Sequence, residues 1–317
     1  MRFLTLFLVC FTTVLSAQNQ RDKAIDNFNL KNYDKAETQF KTIINENPDD
    51  LLAYEFLGDV YAAQKRWDNA IEIFENLLNQ KPTNANYNYK YGGSLGLKAK
   101  SSDKFTALFL LSDVKKYLKR AADLDKNHVD VRWALLELYL ELPGVIGGSV
   151  SKAKNYASQL ENISPVDGAL AFGKIADYEQ DFKLAETYYL KAVEIGGSSI
   201  CYTKLIELYQ KYDKYDKALN YTSEAAKKLD LNKFNFKYAE IAIKSNLNTK
   251  TAISYIDQYI QNYDKDSKNL DEAFILKSKL HHQLGQIDEA KFCLQKALAY
   301  NPSSAQAKSE LQRIEQL

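Results

Sequence analysis

Residues 51–84 read LLAYEFLGDVYAAQKRWDNAIEIFENLLNQKPTN, and this stretch decides the fold. Apolar and small residues recur at helical spacing in each half, namely Tyr54, Leu57, Gly58 and Tyr61, then Ala70, Phe74 and Leu77. Pro82 ends the second helix because proline lacks a backbone N–H and does not fit a helix interior. The stretch therefore predicts two antiparallel helices, A and B, joined by a short turn.

Small and large side chains alternate where the two predicted helices face each other. Gly58 and Ala70 are small where the helices must approach closely, and Phe74 fills the space toward the next pair. Asp68 lies at the predicted start of helix B. We expect its carboxylate to cap that helix, because aspartate is a preferred N-cap residue.

The same pattern returns along the chain. Its helix B pentapeptide has counterparts at residues 33–37, 67–71, 182–186, 215–219 and 287–291. Ala36 and Ala70 are 34 residues apart, as are the pairs Phe40–Phe74 and Pro48–Pro82. A fixed period of this length predicts a solenoid of stacked helix pairs.

These positions resemble the tetratricopeptide repeat, on the matching residues Leu57, Gly58, Tyr61, Ala70, Phe74 and Pro82. The helix B alanine places repeats at Ala36, Ala70, Ala153, Ala185, Ala218, Ala252 and Ala290, with a degenerate unit at Val114. The helices end at Pro48, Pro82, Pro165, Pro302, Gly196–Gly197, Asp230 or Asp264. The resemblance implies an all-α, right-handed α-solenoid of about eight helix pairs, and residues 303–317 read as a C-terminal capping helix.

The charge composition argues against a nucleic-acid partner. Lys and Arg together number 42 and Asp and Glu 41, so no net charge attracts a phosphate backbone. The 317 residues suit one extended array, which we expect to form a single solenoid domain from residue 18 to 317.

The N-terminal 17 residues have the composition of a secretory signal peptide. Arg2 precedes an apolar run, residues 3–15, and the small residues Ser16 and Ala17 suit cleavage after Ala17. Thirteen apolar residues are few for a bilayer span, although an uncleaved anchor is the alternative. Lipidation at Cys10 is disfavoured because bulky Val9 precedes it. We expect an exported chain, periplasmic or extracellular, without a transmembrane span after cleavage.

No residue pattern indicates catalysis, a metal or a cofactor. Of the histidines, His281 and His282 are adjacent on a helix and point about 100° apart, and His128 falls at a repeat junction. Cys201 and Cys293 lie in different repeats, so we expect core residues and no disulfide. The sequence predicts a protein that is not an enzyme.

The period breaks twice, between the A and B helices of neighbouring repeats. Ala70 and Val114 are 44 residues apart and Val114 and Ala153 are 39. The insertions fall at about residues 97–111 and 142–149. Because the A–B turns of successive repeats line one edge of a solenoid, we expect the two insertions side by side.

The two insertions carry apolar residues. Residues 101–103 can cap a helix B that begins early and carries Phe105 and Phe109, and the second insertion offers Val145 and Ile146. We expect the second insertion to dock on the extended helix and form a small local core. The rival hypothesis is an exposed surface that contacts a partner or membrane.

The end of the second insertion, Gly147-Gly148-Ser149, also fits phosphate binding at a helix N-terminus, but Ser149 as an N-cap explains the same residues. This insertion, with residues 117–124 and the Arg132-Trp133 pair, resembles a pattern in exported bacterial tetratricopeptide proteins.

The resemblance implies that the A helices line a concave groove. Candidate partner-binding residues in the N-terminal repeats are Glu55, Asp59, Tyr89, Lys90, Trp133 and Glu137. In the C-terminal repeats they are Lys174, Tyr178, Lys204, Glu207, Lys237, Tyr238, Lys279 and His282. The first set is mainly acidic and the second mainly basic, which favours an acidic peptide in the C-terminal groove. The alternative is a solvated helix face.

The leading hypothesis is an exported, non-catalytic scaffold that binds a protein or peptide along the concave face. One alternative is a small-ligand-binding accessory of an envelope transport system, with a pocket bounded by Phe105, Phe109, Val145 and Ile146. The other alternative is self-assembly through the exposed insertion. The sequence does not specify the oligomeric state.

Overall fold

A computed structural model describes residues 18–263 and 270–316. The predicted signal peptide and the predicted helix end at Asp264 lie outside these residues. Within them the chain contains only α-helices and one short 3-10 helix, with no strand. The predicted all-α class is confirmed. No helix among the described residues is both long and apolar enough to span a bilayer.

The helices follow one another in packed pairs. The first, α1, spans residues 18–29, and the others are α2 Tyr33–Glu46, α3 Leu51–Ala63, α4 Trp67–Gln80, α5 Ala85–Ser101, α6 Lys104–Leu124, α7 Val129–Glu141, α8 Val150–Ile163, α9 Pro165–Tyr178, α10 Phe182–Gly196, α11 Ser199–Lys211, α12 Tyr215–Leu229, α13 Lys233–Ser245, α14 Thr249–Gln261, α15 Leu270–Gln283, α16 Ile287–Tyr300 and α17 Ala305–Glu315. The 3-10 helix is Gly144–Ile146. Odd-numbered helices from α1 to α15 are A helices and their successors B helices, so eight pairs and a terminal helix are present, as predicted.

The chain divides into two compact units, Met1–Tyr156 and Ala157–Leu317. Unit 1 contains α1 to α7 and the first part of α8. Unit 2 contains the rest of α8, four A–B pairs from α9 to α16, and α17. The prediction of a single domain stays a prediction.

Contact between A and B helices depends on small residues, as the sequence predicts. A Cβ atom on Gly58 would lie 2.6 Å from the ring of Phe74. In unit 2, a Cβ atom on Gly173 would likewise lie 2.6 Å from the ring of Tyr189. Ala70 and Phe74 are fully buried. These glycines therefore let each aromatic ring pack directly on the neighbouring helix backbone.

Most A–B turns share one backbone conformation. The residue two positions before helix B has a left-handed φ in five pairs, namely Lys31, Lys65, Gln180, Asp213 and Gly285, with φ between 54° and 73°. A single left-handed residue closes the end of helix A and redirects the chain. The pairs α5–α6 and α7–α8, which carry the insertions, have different connections.

The start of α4 corrects one prediction. Asp68 is not its N-cap, because α4 begins at Trp67 and Arg66 occupies the cap position without a side-chain hydrogen bond. Asp68 lies in the first turn, where a negative charge is favourable near the helix N-terminus. It forms an ion pair with Lys98 of α5.

The C-terminal end and both cysteines match the predictions. In α17, Ala307 and Ile314 are buried and pack with Ala290, Leu294 and Ala297 of α16. Cys201 and Cys293 are free and buried, so they are core residues. Burial also raises the pKa of the Cys293 thiol, which keeps it protonated.

Candidate functional site

The first insertion lengthens both helices of its pair. The B helix α6 has 21 residues and its A helix α5 has 17, against 14 and 13 for α4 and α3. Asp103 caps α6, since its Oδ1 accepts hydrogen bonds from the N–H groups of Phe105 and Thr106. The predicted cap and extension of helix B are confirmed. The extension of α5 was not predicted.

The backbone of the second insertion forms hydrogen bonds with both α6 and α7. The Lys115 Nζ donates a 2.7 Å hydrogen bond to the Ile146 carbonyl, and the Ser149 N–H donates one of 2.9 Å to the Tyr139 carbonyl. A Cβ on Gly148 would lie only 1.7 Å from the Leu142 carbonyl oxygen, so the turn requires glycine. Ser149 Oγ accepts from the Lys152 N–H at 3.3 Å, which fits its prediction as an N-cap.

The insertions do not form the expected local core. Phe105 is 86% exposed, Phe109 83% and Val145 95%. Only Ile146 is partly buried. The burial hypothesis is therefore wrong for Phe105, Phe109 and Val145. The loop is held to α6 by the hydrogen bond from Lys115 to its backbone, so its docking does not require these side chains.

A cavity of about 510 Å³ lies between the ends of α5, α6 and α7 and the second insertion. Its lining is mainly apolar and includes Ala107, Leu108, Leu111, Val114, Leu138, Leu142 and Ile146. Lys100 and Glu141 also line it and form an ion pair at 3.0 Å. Of the four residues expected to bound a pocket, only Ile146 lines this cavity. Phe105, Phe109 and Val145 do not.

The candidate groove residues of unit 1 lie on the three successive A helices α3, α5 and α7. Together with Asp130 of α7 they define what we call the acidic face: Glu55, Asp59, Tyr89, Lys90, Asp130, Trp133 and Glu137. Lys90 Nζ lies 2.7 Å from Glu55 Oε1 and 2.5 Å from Asp59 Oδ2. Asn86 Nδ2 also donates to Glu55 Oε1 at 2.7 Å. One lysine of α5 is thus shared by two carboxylates of α3.

Tyr89 connects the α3 side of the acidic face to α7. Its ring centroid is 4.9 Å from that of His128, the N-cap residue of α7. Burial, followed by the negative charges of Asp130, Asp59 and Glu137, raises the pKa of Tyr89 to about 12. The hydroxyl therefore stays protonated at physiological pH. Burial also raises the pKa of Asp59 despite the opposing effect of Lys90.

Asp130 and His128 were not among the predicted site residues. Asp130 lies in the first turn of α7, two residues after the His128 cap. The sequence signal that could have found both is their position at the start of an A helix. Tyr89 is the fifth residue of α5, and its counterpart in α7 is Trp133.

The lysines predicted to form a basic groove in unit 2 are balanced by neighbouring carboxylates. Lys204 pairs with Glu207 at 2.7 Å, Lys237 with Glu240 at 3.3 Å and Lys279 with Glu310 at 3.5 Å. Lys174 is not free either. These pairs weaken the argument for an acidic partner in this unit.

Two tyrosines of unit 2 differ in accessibility. Tyr178 is 54% exposed, so a partner can reach it. Tyr238 is buried and its ring stacks on Tyr255 with centroids 4.1 Å apart. The assignment of Tyr238 to a partner-binding surface is therefore wrong. It belongs to the packing between α13 and α14.

Two of the three histidines, His128 and His281, have structural hydrogen bonds. His128 Nδ1 accepts from the Val131 N–H at 3.4 Å, and His281 Nδ1 lies 2.7 Å from Gln286 Oε1. In the part of the chain that the structure describes, no three His, Cys, Asp or Glu side chains converge as metal ligands.

Comparison with known families bears on the helix pairs described above. The tetratricopeptide-repeat family matches at residues 21–85 and again at residues 271–304. These two segments of the chain are tetratricopeptide repeats. Such repeats are typical of protein-interaction scaffolds. No curated protein matches the sequence.

Three solved structures resemble this chain at low sequence identity. A tetratricopeptide repeat protein from Parabacteroides merdae is 12% identical, with a TM-score of 0.45, over 95% of this chain and 99% of the other. A thermophilic protein of the same class from Thermus thermophilus is 19% identical, with a TM-score of 0.40, over 71% and 98%. MamA is also 19% identical, with a TM-score of 0.41, over 54% and 92%.

Proposed function

We propose that this protein is a non-catalytic scaffold that binds a segment of a protein partner on the acidic face of unit 1. The cluster around Tyr89 is the observation that carries the proposal. An aromatic side chain with a protonated hydroxyl lies beside Asp59, Asp130 and Glu137, on adjoining A helices. Aromatic side chains give a large contact area together with a polar group, as binding surfaces require.

The charges of this face favour a basic partner segment. Lys90 is a single cation shared by Glu55 and Asp59, and Asp130 adds a third carboxylate. A partner lysine or arginine can therefore bind without displacing an existing pair. Complementary charges mainly give specificity and a faster association rate, whereas contact with the parts of Tyr89 and Trp133 that remain exposed gives affinity.

The test is a pull-down from extracts of the source organism with residues 18–317 as bait. We expect the double variant Asp59→Asn/Asp130→Asn to capture at least ten-fold less of a partner that the unmodified chain captures. The control is Lys204→Gln/Lys237→Gln in unit 2, which changes the net charge by two in the opposite direction and should capture the same partner normally. Loss of capture in the control and retention in the acidic-face variant would overturn the proposal and favour an acidic partner.

We propose further that the protein is exported and loses residues 1–17. The support is the sequence of this segment, with Arg2 before an apolar run and Ser16–Ala17 before polar residues. N-terminal sequencing of the protein recovered from its own cells should begin at Gln18. A chain that begins at Met1, or that carries a lipid on Cys10, would contradict export with cleavage after Ala17.

The other two functions weighed from the sequence stay predictions. A small-ligand accessory role would use the cavity lined by Leu111 and Leu138, and self-assembly would use the exposed insertion residues.

A further inference from the structure

The most exposed apolar side chains of unit 1 occur together at the insertions. Phe105 and Phe109 are one helical turn apart on α6 and more than four-fifths exposed, and Val145 is almost fully exposed. Phenylalanine carries one of the largest apolar surfaces, so two of them at this exposure leave at least about 250 Å² in water. Apolar patches of this order, together with their neighbours, mark interaction surfaces.

These side chains project from the edge of the unit. Phe105 and Phe109 lie at the N-terminal end of α6, in the part by which this helix exceeds α4. Val145 lies on the 3-10 helix of the second insertion, which Lys115 holds against α6. Leu108, half exposed, lies between the phenylalanines and the cavity. Projecting apolar side chains can insert into a surface that deforms around them, such as a lipid bilayer.

The segment that carries the phenylalanines is strongly basic in an otherwise neutral chain. Residues 97–120 contain seven Lys or Arg residues and two Asp residues, whereas the whole chain has 42 and 41. Lys98 and Lys100 pair with Asp68 and Glu141. Within the described ranges, the other five form no salt bridge: Lys104, Lys115, Lys116, Lys119 and Arg120.

The apolar and basic residues share one face of α6. Positions 105, 109, 116 and 120 lie within about 60° of one another around a helix of 3.6 residues per turn. All four side chains are exposed. The solvent face of α6 thus begins with two phenylalanines and continues with Lys116 and Arg120, with exposed Lys119 and Asp113 on its two sides. It ends at exposed Asp123, which forms an ion pair with Lys126. Lys152 of α8 adds positive charge near this face. Burial lowers the pKa of Lys115 most, and the nearby positive charges of Lys152 and Lys119 lower it further.

We propose that this edge, formed by Phe105, Phe109, Val145 and the basic face of α6, docks on an anionic lipid surface. The phenylalanines and Val145 enter the region between headgroups and acyl chains, and the lysines contact the phosphates. Interfacial helices combine aromatic residues with Lys and Arg in this way. A protein partner would need apolar pockets that match the three projecting side chains and acidic residues beside them. A bilayer adapts its shape to the same side chains. The proposal does not depend on the acidic face.

The test is co-sedimentation of residues 18–317 with lipid vesicles. This chain contains every described residue and lacks the apolar leader, which would itself bind lipid. We expect binding to vesicles of phosphatidylglycerol and phosphatidylcholine, at least ten-fold weaker binding to phosphatidylcholine alone, and loss of binding as salt rises from 0.1 to 0.5 M, because exposed charges are screened over a few ångströms at high salt.

Two variants separate the apolar and electrostatic contributions. Phe105→Ser/Phe109→Ser should weaken binding to the anionic vesicles at least ten-fold, and Lys116→Gln/Lys119→Gln/Arg120→Gln should do the same. Both change exposed side chains, so their circular dichroism spectra should match the unmodified chain. The control Phe292→Ser removes a phenylalanine of α16 that is 58% exposed and should bind normally.

Absence of binding to anionic vesicles would overturn the proposal, as expected if the edge instead contacts a protein. Equal loss in the Phe292→Ser control would also overturn it, because binding would then be nonspecific. Retained binding in the phenylalanine variant would assign the lipid contact to another surface.

Discussion

Replacing Gly168 with alanine should lower the free energy of unfolding by about 3 kcal/mol, although alanine is the better helix former. A Cβ atom on Gly168 would lie 2.3 Å from the Glu161 Cα and 2.4 Å from its Cβ. The nearest atom belongs to the backbone, so no side-chain rotation relieves the clash. The two helices would have to move apart.

The connection between α8 and α9 explains why the helices cannot separate easily. Only Ser164 lies between Ile163 and Pro165, and its carbonyl accepts the Gly168 N–H at 2.9 Å. Its Oγ accepts the Asp167 N–H, which caps α9. Such a short connection fixes the approach of the two helices near Gly168. Relief of the clash would therefore disturb the cap and the buried neighbours Ala169 and Ala171.

The matched control is Gly93→Ala in α5. Gly93 is also a helical glycine, but a Cβ there would meet no atom within 4 Å. This substitution should raise stability by about 0.5–1 kcal/mol. Urea unfolding followed by circular dichroism measures both changes. Equal gains in stability at the two sites would contradict the close contact at Gly168.

The repeat architecture was predictable because close packing leaves a strict sequence pattern. Ala70 and Gly58 must be small for Phe74 to pack between two helix backbones, and this requirement returns with each repeat. Pro82 follows the end of α4 by two residues, as a proline that stops a helix should. Such requirements for small, aromatic and helix-ending residues appear in the sequence as a period, which is why they could be predicted.

The position of Asp68 was harder to predict. Helix boundaries depend on backbone angles over one or two residues, and an aspartate is favourable both as a cap and in the first turn. The structure adopts the second arrangement, with Lys98 as an ion-pair partner 30 residues away. That partner belongs to another helix, so local sequence could not reveal it.

Exposure at the insertions could not be read from the sequence either. Phe105 and Phe109 follow helical spacing, and this pattern fits a buried face and a projecting one equally well. Burial depends on whether another element covers the face. The second insertion is docked on α6 through the Ile146 carbonyl and leaves both phenylalanines uncovered.

Unit 1 separates charges that cancel in the overall composition. The acidic face collects Asp59 and Asp130 on the A helices, whereas Lys116, Lys119 and Arg120 lie on the solvent side of a B helix. A net charge of +1 therefore conceals two surfaces of opposite sign. Salt should weaken binding at both surfaces. Substitution of Asp59 and Asp130 should weaken only partner binding, and substitution of the basic residues of α6 only lipid binding.

Replacing Arg132 with leucine should lower the free energy of unfolding by about 3 kcal/mol. Arg132 is 2% exposed, and its guanidinium donates to the carbonyls of Ala122, Asp125 and His128 at 3.4, 3.1 and 2.8 Å. The first two carbonyls belong to the C-terminal end of α6, where helix carbonyls lack partners of their own.

The preceding A helix, α5, has a buried polar residue at the position that Arg132 occupies in α7, the fourth residue of the helix. Asn88 of α5 is fully buried and donates to the carbonyls of Pro82 and Asn84, which precede that helix. Arg132 extends the same function across the turn from α6 to α7. Leucine would fill much of the space but leave these carbonyls without their charged donor. The Asp125 carbonyl would keep the His128 N–H at 3.4 Å, whereas the Ala122 carbonyl would lose its hydrogen bond to the guanidinium, and an unsatisfied buried acceptor is costly.

Two further variants isolate this contribution. Arg132→Lys keeps the charge but not the forked geometry, so it should lose about 1–2 kcal/mol. Arg120→Leu removes an exposed arginine of α6 and should change stability by no more than about 0.5 kcal/mol. Urea unfolding ranks the three. If Arg132→Leu were as stable as the unmodified chain, hydrophobic packing alone would hold the α6–α7 junction, since the lost hydrogen bonds would have contributed nothing net.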